Sequence, residues 1–188
     1  MVSITQGYNK GCKNSIGGVK KAYFFTYYKY ARSLIDVTNG ILNSFPLTVI
    51  YEFDGFENSA FSESMSEEDG GKFIDQRVNF EFKNTGLNYL DFQKLLKKDI
   101  RIIIQDYNDN FRILGLYNGL EVTNLKSDIG SGKNTLNGYS FDAEGKEINY
   151  APFITDLESA GFFIGSFDYL LLEDGFYLLQ EDNNKIIL

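Results

Sequence analysis

The stretch Ile100–Leu125, IRIIIQDYNDNFRILGLYNGLEVTNL, decides the fold class. Ile102–Ile104 and Phe111–Leu116 are strand-like runs, and Tyr107-Asn108-Asp109-Asn110 between them carries the residues of a tight connection. Two strands and a turn in so short a span predict a β-hairpin. Asn118–Gly119 marks a further turn or bulge.

The same signature extends in both directions. Upstream, FIDQRVNFEFK (Phe73–Lys83) sets Val78, Phe80 and Phe82 against Asn79, Glu81 and Lys83. That period of two means a strand with one buried and one wet face. LTVIYEF (Leu47–Phe53) reads as a short strand between Pro46 and Asp54–Gly55. Val19–Val37, with Tyr23, Phe24, Phe25, Tyr27, Tyr28 and Tyr30, reads as one or two strands broken at or after Thr26, before a turn at Asn39–Gly40. Glu57–Lys72 is rich in Ser and acids and reads as an exposed loop or hairpin tip. One segment reads as helix: Leu87–Asp99, with Thr85 as N-cap, Leu87, Leu90, Phe92, Leu95 and Leu96 on one face, and Lys94, Lys97 and Lys98 near its C-terminal end.

Downstream, Lys126–Leu136 reads as a Gly/Ser/Asn loop and Tyr139–Ile148 as an alternating strand. Asp156–Ala160 fits one helical turn. Phe162–Leu188 alternates apolar runs with acidic turns, as a small β-meander does. The division is therefore a polar, Gly-rich arm (1–18), a β domain (19–154) and a C-terminal β extension (155–188).

Composition narrows the function classes. Of 188 residues, 17 are Phe and 13 are Tyr, while His and Trp are absent and Cys12 is the single cysteine. No imidazole means no His-based triad or zinc site, and one cysteine forms no intrachain disulfide. The formal net charge of −8 opposes nonspecific attachment to nucleic acid, while leaving a negative wall past which a duplex slides. No run reaches the roughly 18 to 20 apolar residues that span a bilayer, and the start lacks the pattern of a secretory signal. The expectation is a soluble protein made in the cytoplasm.

No motif carries chemistry. Gly130-Ser131-Gly132-Lys133 resembles the end of a phosphate-binding loop, but Ser127 stands where its first Gly belongs and Asn134 where Ser or Thr belongs. Asp106, Asn108, Asp109 and Asn110 lack the register of a calcium loop and read as a hairpin turn. Glu67, Glu68 and Asp69, and Glu173 and Asp174, sit in acidic turns and read as solvated charge. The Tyr23–Tyr30 cluster reads as core packing ahead of a sugar platform. The expected set of catalytic, cofactor-binding and metal-binding residues is therefore empty, and the chain is expected not to be an enzyme.

A family resemblance adds to this. The helical segment leading into Ile-rich hairpin strands, then ILGLYNGLEV, a Gly/Ser/Asn loop, LNGYSFDAEGKE and APF, is similar to tail-tube and neck-ring structural proteins of tailed bacteriophages. The opening GCKNSIGGVKKAYFF makes it most similar to those of crAss-like phages of gut Bacteroides. The resemblance spans roughly residues 11–154. It implies a β-sandwich or barrel with one flanking helix, here 87–99, and an inserted hairpin or loop at about 56–82 that helps line a channel. It also implies subunits that self-associate into a ring of the tail tube or neck, beside other tail, neck or portal-proximal proteins. Viral DNA would pass through the lumen without specific binding, in a virion assembled in the host cytoplasm. The rival expectation is a monomeric β-sandwich module that binds carbohydrate or another surface ligand. A hydrolase using carboxylates alone is a third.

Overall fold

The computed structural model describes residues 17–54, 56–68, 70–83, 98–128 and 138–165. Within them the chain is mainly β, as expected. β1 (Val19–Thr26) is the aromatic run, and it stops at Thr26. A 3₁₀ turn (Arg32–Leu34) leads into β2 (Asp36–Thr38) and β3 (Ile41–Ser44). Asn39 and Gly40 join these two strands at φ of 53° and 76°. Two successive left-handed residues are what a two-residue primed hairpin turn needs, and Asn-Gly is its favoured pair. β4 (Thr48–Phe53) follows Pro46.

β5 (Phe56–Glu68) and β6 (Gly71–Lys83) form a hairpin of two 13-residue strands. The Ser- and acid-rich stretch expected as an exposed loop or hairpin tip is thus mostly strand, one arm of this hairpin. β7 (Ile100–Asp106) and β8 (Phe111–Leu114) are the hairpin expected from the opening stretch. Asp106 closes its turn, with Oδ1 accepting from the backbone N–H groups of Asn108 and Asn110 at 2.7 and 2.9 Å. β9 (Glu121–Asp128) runs three residues into the expected loop, and β10 (Gly138–Glu147) pairs with it.

β11 (Phe153–Ile154), α1 (Leu157–Ala160) and β12 (Phe162–Ile164) complete the described chain. α1 is the expected helical turn. Asp156 caps it by accepting from the Ser159 N–H at 2.8 Å, and Gly161 ends it at φ 103°. The helix expected at 87–99 lies outside the described residues, save Lys98 and Asp99, which are not helical. Residues 1–16, the Gly130–Lys133 loop and the meander beyond Gly165 also lie outside them.

The strands form an eight-stranded sheet, ordered β12-β4-β1-β7-β8-β11-β3-β2, and a four-stranded sheet, ordered β5-β6-β10-β9. One core lies between them. Ala22, Phe24, Ile102, Ile104 and Leu114 of the large sheet meet Val78, Phe80, Phe82 and Phe141 of the small one. Phe24 is its centre, with edge-on contacts to Phe53, Phe80 and Phe141 at 4.7, 5.7 and 5.3 Å between ring centroids. A second core lies on the opposite face of the large sheet, where Tyr23, Phe25, Ile50, Ile103 and Ile113 meet Leu42, Phe45, Ile154, Leu157 and Phe162. Central strands buried on both faces read as continuous apolar runs, which is why Ile100–Ile104 shows no alternation.

Arg101 is the exception in that run, and it is 1% exposed. Its guanidinium lies 4.3 Å from the Tyr27 ring centroid, with Phe45 and Tyr30 at 5.2 and 5.4 Å. Nε donates to the Leu116 carbonyl at 3.1 Å and Nη2 to the Tyr28 carbonyl at 2.8 Å. Aromatic faces and carbonyl oxygens thus replace much of the water that the charge loses.

Candidate assembly surface

The small sheet has two unlike faces. Phe61, Val78, Phe80, Phe82, Leu125, Phe141 and Ala143 belong to the core. Their strand neighbours point the other way by the period of two. On β6 and β10 the paired outward residues are Asp75 and Lys146, Arg77 and Glu144, Asn79 and Asp142, and Glu81 and Ser140. β5 adds Asn58, Ala60, Ser62, Ser64 and Ser66, and β9 adds Glu121, Asn124 and Lys126. Of the described side chains, and including Glu68 at the hairpin tip, six carboxylates stand against three cations on this face, a net −3.

Neutral donors hold several of these acids. Asp142 accepts from the Asn79 amide through Oδ1 and from the Asn124 amide through Oδ2, the latter at 2.8 Å, which ties three strands together. Asn58 donates to Glu81 at 2.6 Å, and Ser66 donates to Asp75 at 2.5 Å. Lys146 pairs with Glu68 at 2.5 Å, and Arg77 with Glu144 at 3.5 Å. An amide or hydroxyl satisfies lone pairs without cancelling charge, so the face is ordered and stays negative.

The edges of this sheet are the second feature. Among the described residues, no further strand pairs with β5 or β9. A sheet edge offers a row of backbone donors and acceptors to another chain. The large sheet adds an apolar strip at its β4–β12 end, where Leu47, Val49, Tyr51 and Phe163 are exposed, with Val49 beside Phe163 in the parallel pairing.

The residues weighed in the sequence for chemistry take structural positions where they are described. The Asp106–Asn110 segment is the hairpin turn, and Lys20 pairs with Asp109 at 2.8 Å. Most of the aromatic cluster packs: Tyr23, Phe24 and Phe25 are buried and Tyr27 and Tyr30 flank Arg101, while Tyr28 is exposed. Among the described residues no group of three or more His, Cys, Asp or Glu could hold a metal ion. No described helix is long and apolar enough to cross a membrane. Two buried charged groups, Arg101 and Glu147, were not singled out in the sequence, because their partners lie far along the chain.

Comparison of the chain with models of known families, with curated proteins and with solved structures finds no match.

Proposed function

We propose that this chain is a structural subunit of a tailed-phage virion, self-associating into a ring of the tail tube or neck on the path of genome ejection. The observation that supports it most is the small sheet: apolar inside, ordered and negative outside, and with no further strand on either edge among the described residues. A ring joins β5 of one subunit to β9 of the next, which removes both edges at once. The polar face then turns to the lumen. Its negative charge repels phosphate, so DNA moves past without sticking. The resemblance of residues 11–154 to tail-tube and neck-ring proteins supports the same reading.

The test is cross-linking between the edges. Cys12→Ser removes the native thiol, and Ala60→Cys with Asn124→Cys puts one thiol on the outward face of each edge strand. Mild oxidation is expected to give a ladder of covalent oligomers that ends at the copy number of the closed ring. Intact monomer after oxidation, from a sample that is also monomeric by mass, would count against the proposal and move weight to a monomeric carbohydrate-binding module.

A further inference from the structure

Glu147, the last residue of β10, is 2% exposed. Its Oε1 accepts from the backbone N–H groups of Tyr117 and Asn118 at 2.9 and 2.8 Å. Its Oε2 is buried and has no hydrogen-bond partner among the described residues. An unmade hydrogen bond on a buried charged group is costly. Glu147 also borders a cavity of about 20 Å³, shared with Val37, Gln76, Asn149, Tyr150 and Pro152. One water molecule needs roughly 10–15 Å³ and two to four polar partners.

We propose that this cavity is a binding site for one ordered water molecule, which donates a hydrogen bond to Glu147 Oε2. The size admits a single water and no hydrated ion. Cations are further disfavoured because Arg101, itself buried, acts on Glu147 with its positive charge. Water supplies the donor that the carboxylate lacks, and amide or phenol groups of the lining supply its other contacts.

The location gives the site a purpose. Glu147 ends a strand of the small sheet, and the Leu116–Asn118 turn leads from β8 of the large sheet towards β9 of the small one. Gln76 sits on β6 and is oriented by two bonds, accepting from the Gly115 N–H at 2.9 Å and donating to Glu63 at 3.0 Å. Val37 belongs to β2, at the far edge of the large sheet. The water therefore sits where the ends of both sheets converge and completes the polar link between them.

The experiment combines a high-resolution crystal structure of the full chain with one variant. The proposal expects a density peak about 3 Å from Oε2 with at least one other polar contact. Val37→Ile adds one methylene to the cavity wall. Expulsion of the water is expected to lower the urea midpoint and to remove one long-lived water from the oxygen-17 relaxation dispersion. A site without density, or with Oε2 bonded directly to protein, overturns the proposal. So does a Val37→Ile protein of unchanged or higher midpoint, because filling a dry cavity stabilises. Failure of the variant to fold leaves the wild-type density to decide.

Discussion

Arg101 shows how one residue can hold both a core and a loop. Its guanidinium packs on Tyr27, Tyr30 and Phe45 and donates to the carbonyls of Leu116 and Tyr28. Arg101→Ala removes those donors and leaves Glu147 without its nearby charge. The expected loss is about 3–5 kcal/mol, read from the urea midpoint at constant m-value. Arg101→Lys should recover only part of it, since an ammonium lacks the planar fork that reaches both carbonyls. Glu147 has its own signature. Burial holds its carboxyl above the ordinary value of 4.5, against the pull of the Asn118 and Tyr117 N–H groups, of Arg101 and of the Ile148 N–H. The folded state then binds the proton more tightly than the unfolded state does. This contribution to stability is therefore fullest below the unfolded value and is lost as pH rises through the folded one. Glu147→Gln is expected to remove that dependence, so that its stability relative to wild type improves as pH rises from about 4 towards neutrality. A difference that stays flat across the series would contradict the assignment. Neither residue was legible beforehand: the Arg101–Tyr28 bond joins positions 73 apart, and nothing near Arg101 in sequence signals a cage.

At the scale of elements, local pattern revealed most strands and misplaced one kind. Alternation found β6 and β10, and turn chemistry found the β7–β8 hairpin and the Asn39–Gly40 turn. β5 was read as an exposed loop or hairpin tip because FENSAFSESMSEE is rich in Ser and acids and has few apolar residues. It is a strand because β6 pairs with it along its length and its inward acid is satisfied. Glu63 faces the interior, accepting from the Gln76 amide at 3.0 Å and the Ala151 N–H at 2.6 Å, with Arg112 at 3.7 Å. Tertiary pairing overrode propensity there, as it often does in sheets. β3 was missed because it is only four residues long and only its Leu42 is buried. β12 is short, but its Phe162 is fully buried and stacks on Phe45 at 5.0 Å with an interplanar angle of 22°. Phe162→Ala is expected to cost about 3–5 kcal/mol, the range for a core aromatic, in a single cooperative transition. A small loss, or a separate early transition, would mean that β12 is only loosely attached. Gly40→Ala has open space around its new methyl group but must hold φ at 76°. About 1–2 kcal/mol of loss is expected from that strain alone, measured by the same denaturation.

On the scale of the whole molecule, the fold class was legible because the apolar periodicities of 19–53, 73–83 and 100–148 all require sheets. Which strands share a sheet was not, since that depends on pairings such as β1 with β7 and β11 with β3, far apart in sequence. The candidate surface was half legible. Its acidic residues stood in the sequence and the resemblance implied a hairpin or loop there, while the ladder of amides and hydroxyls holding the acids appeared only with the strands in register. Assembly should follow the charge. Subunits of net charge −8 repel one another, and salt shortens the range of that repulsion from about 10 Å at 0.1 M to about 3 Å at 1 M. Self-association is therefore expected to strengthen as ionic strength rises, and light scattering across a salt series checks the sign. The most direct test of the central claim is the mass of the purified full chain over a concentration series, with negative-stain images of the same samples. Annular particles with an open centre, of one copy number and growing in share with concentration and salt, are the predicted result. A chain that stays monomeric at every concentration and salt, with no annular particle in the images, would contradict it.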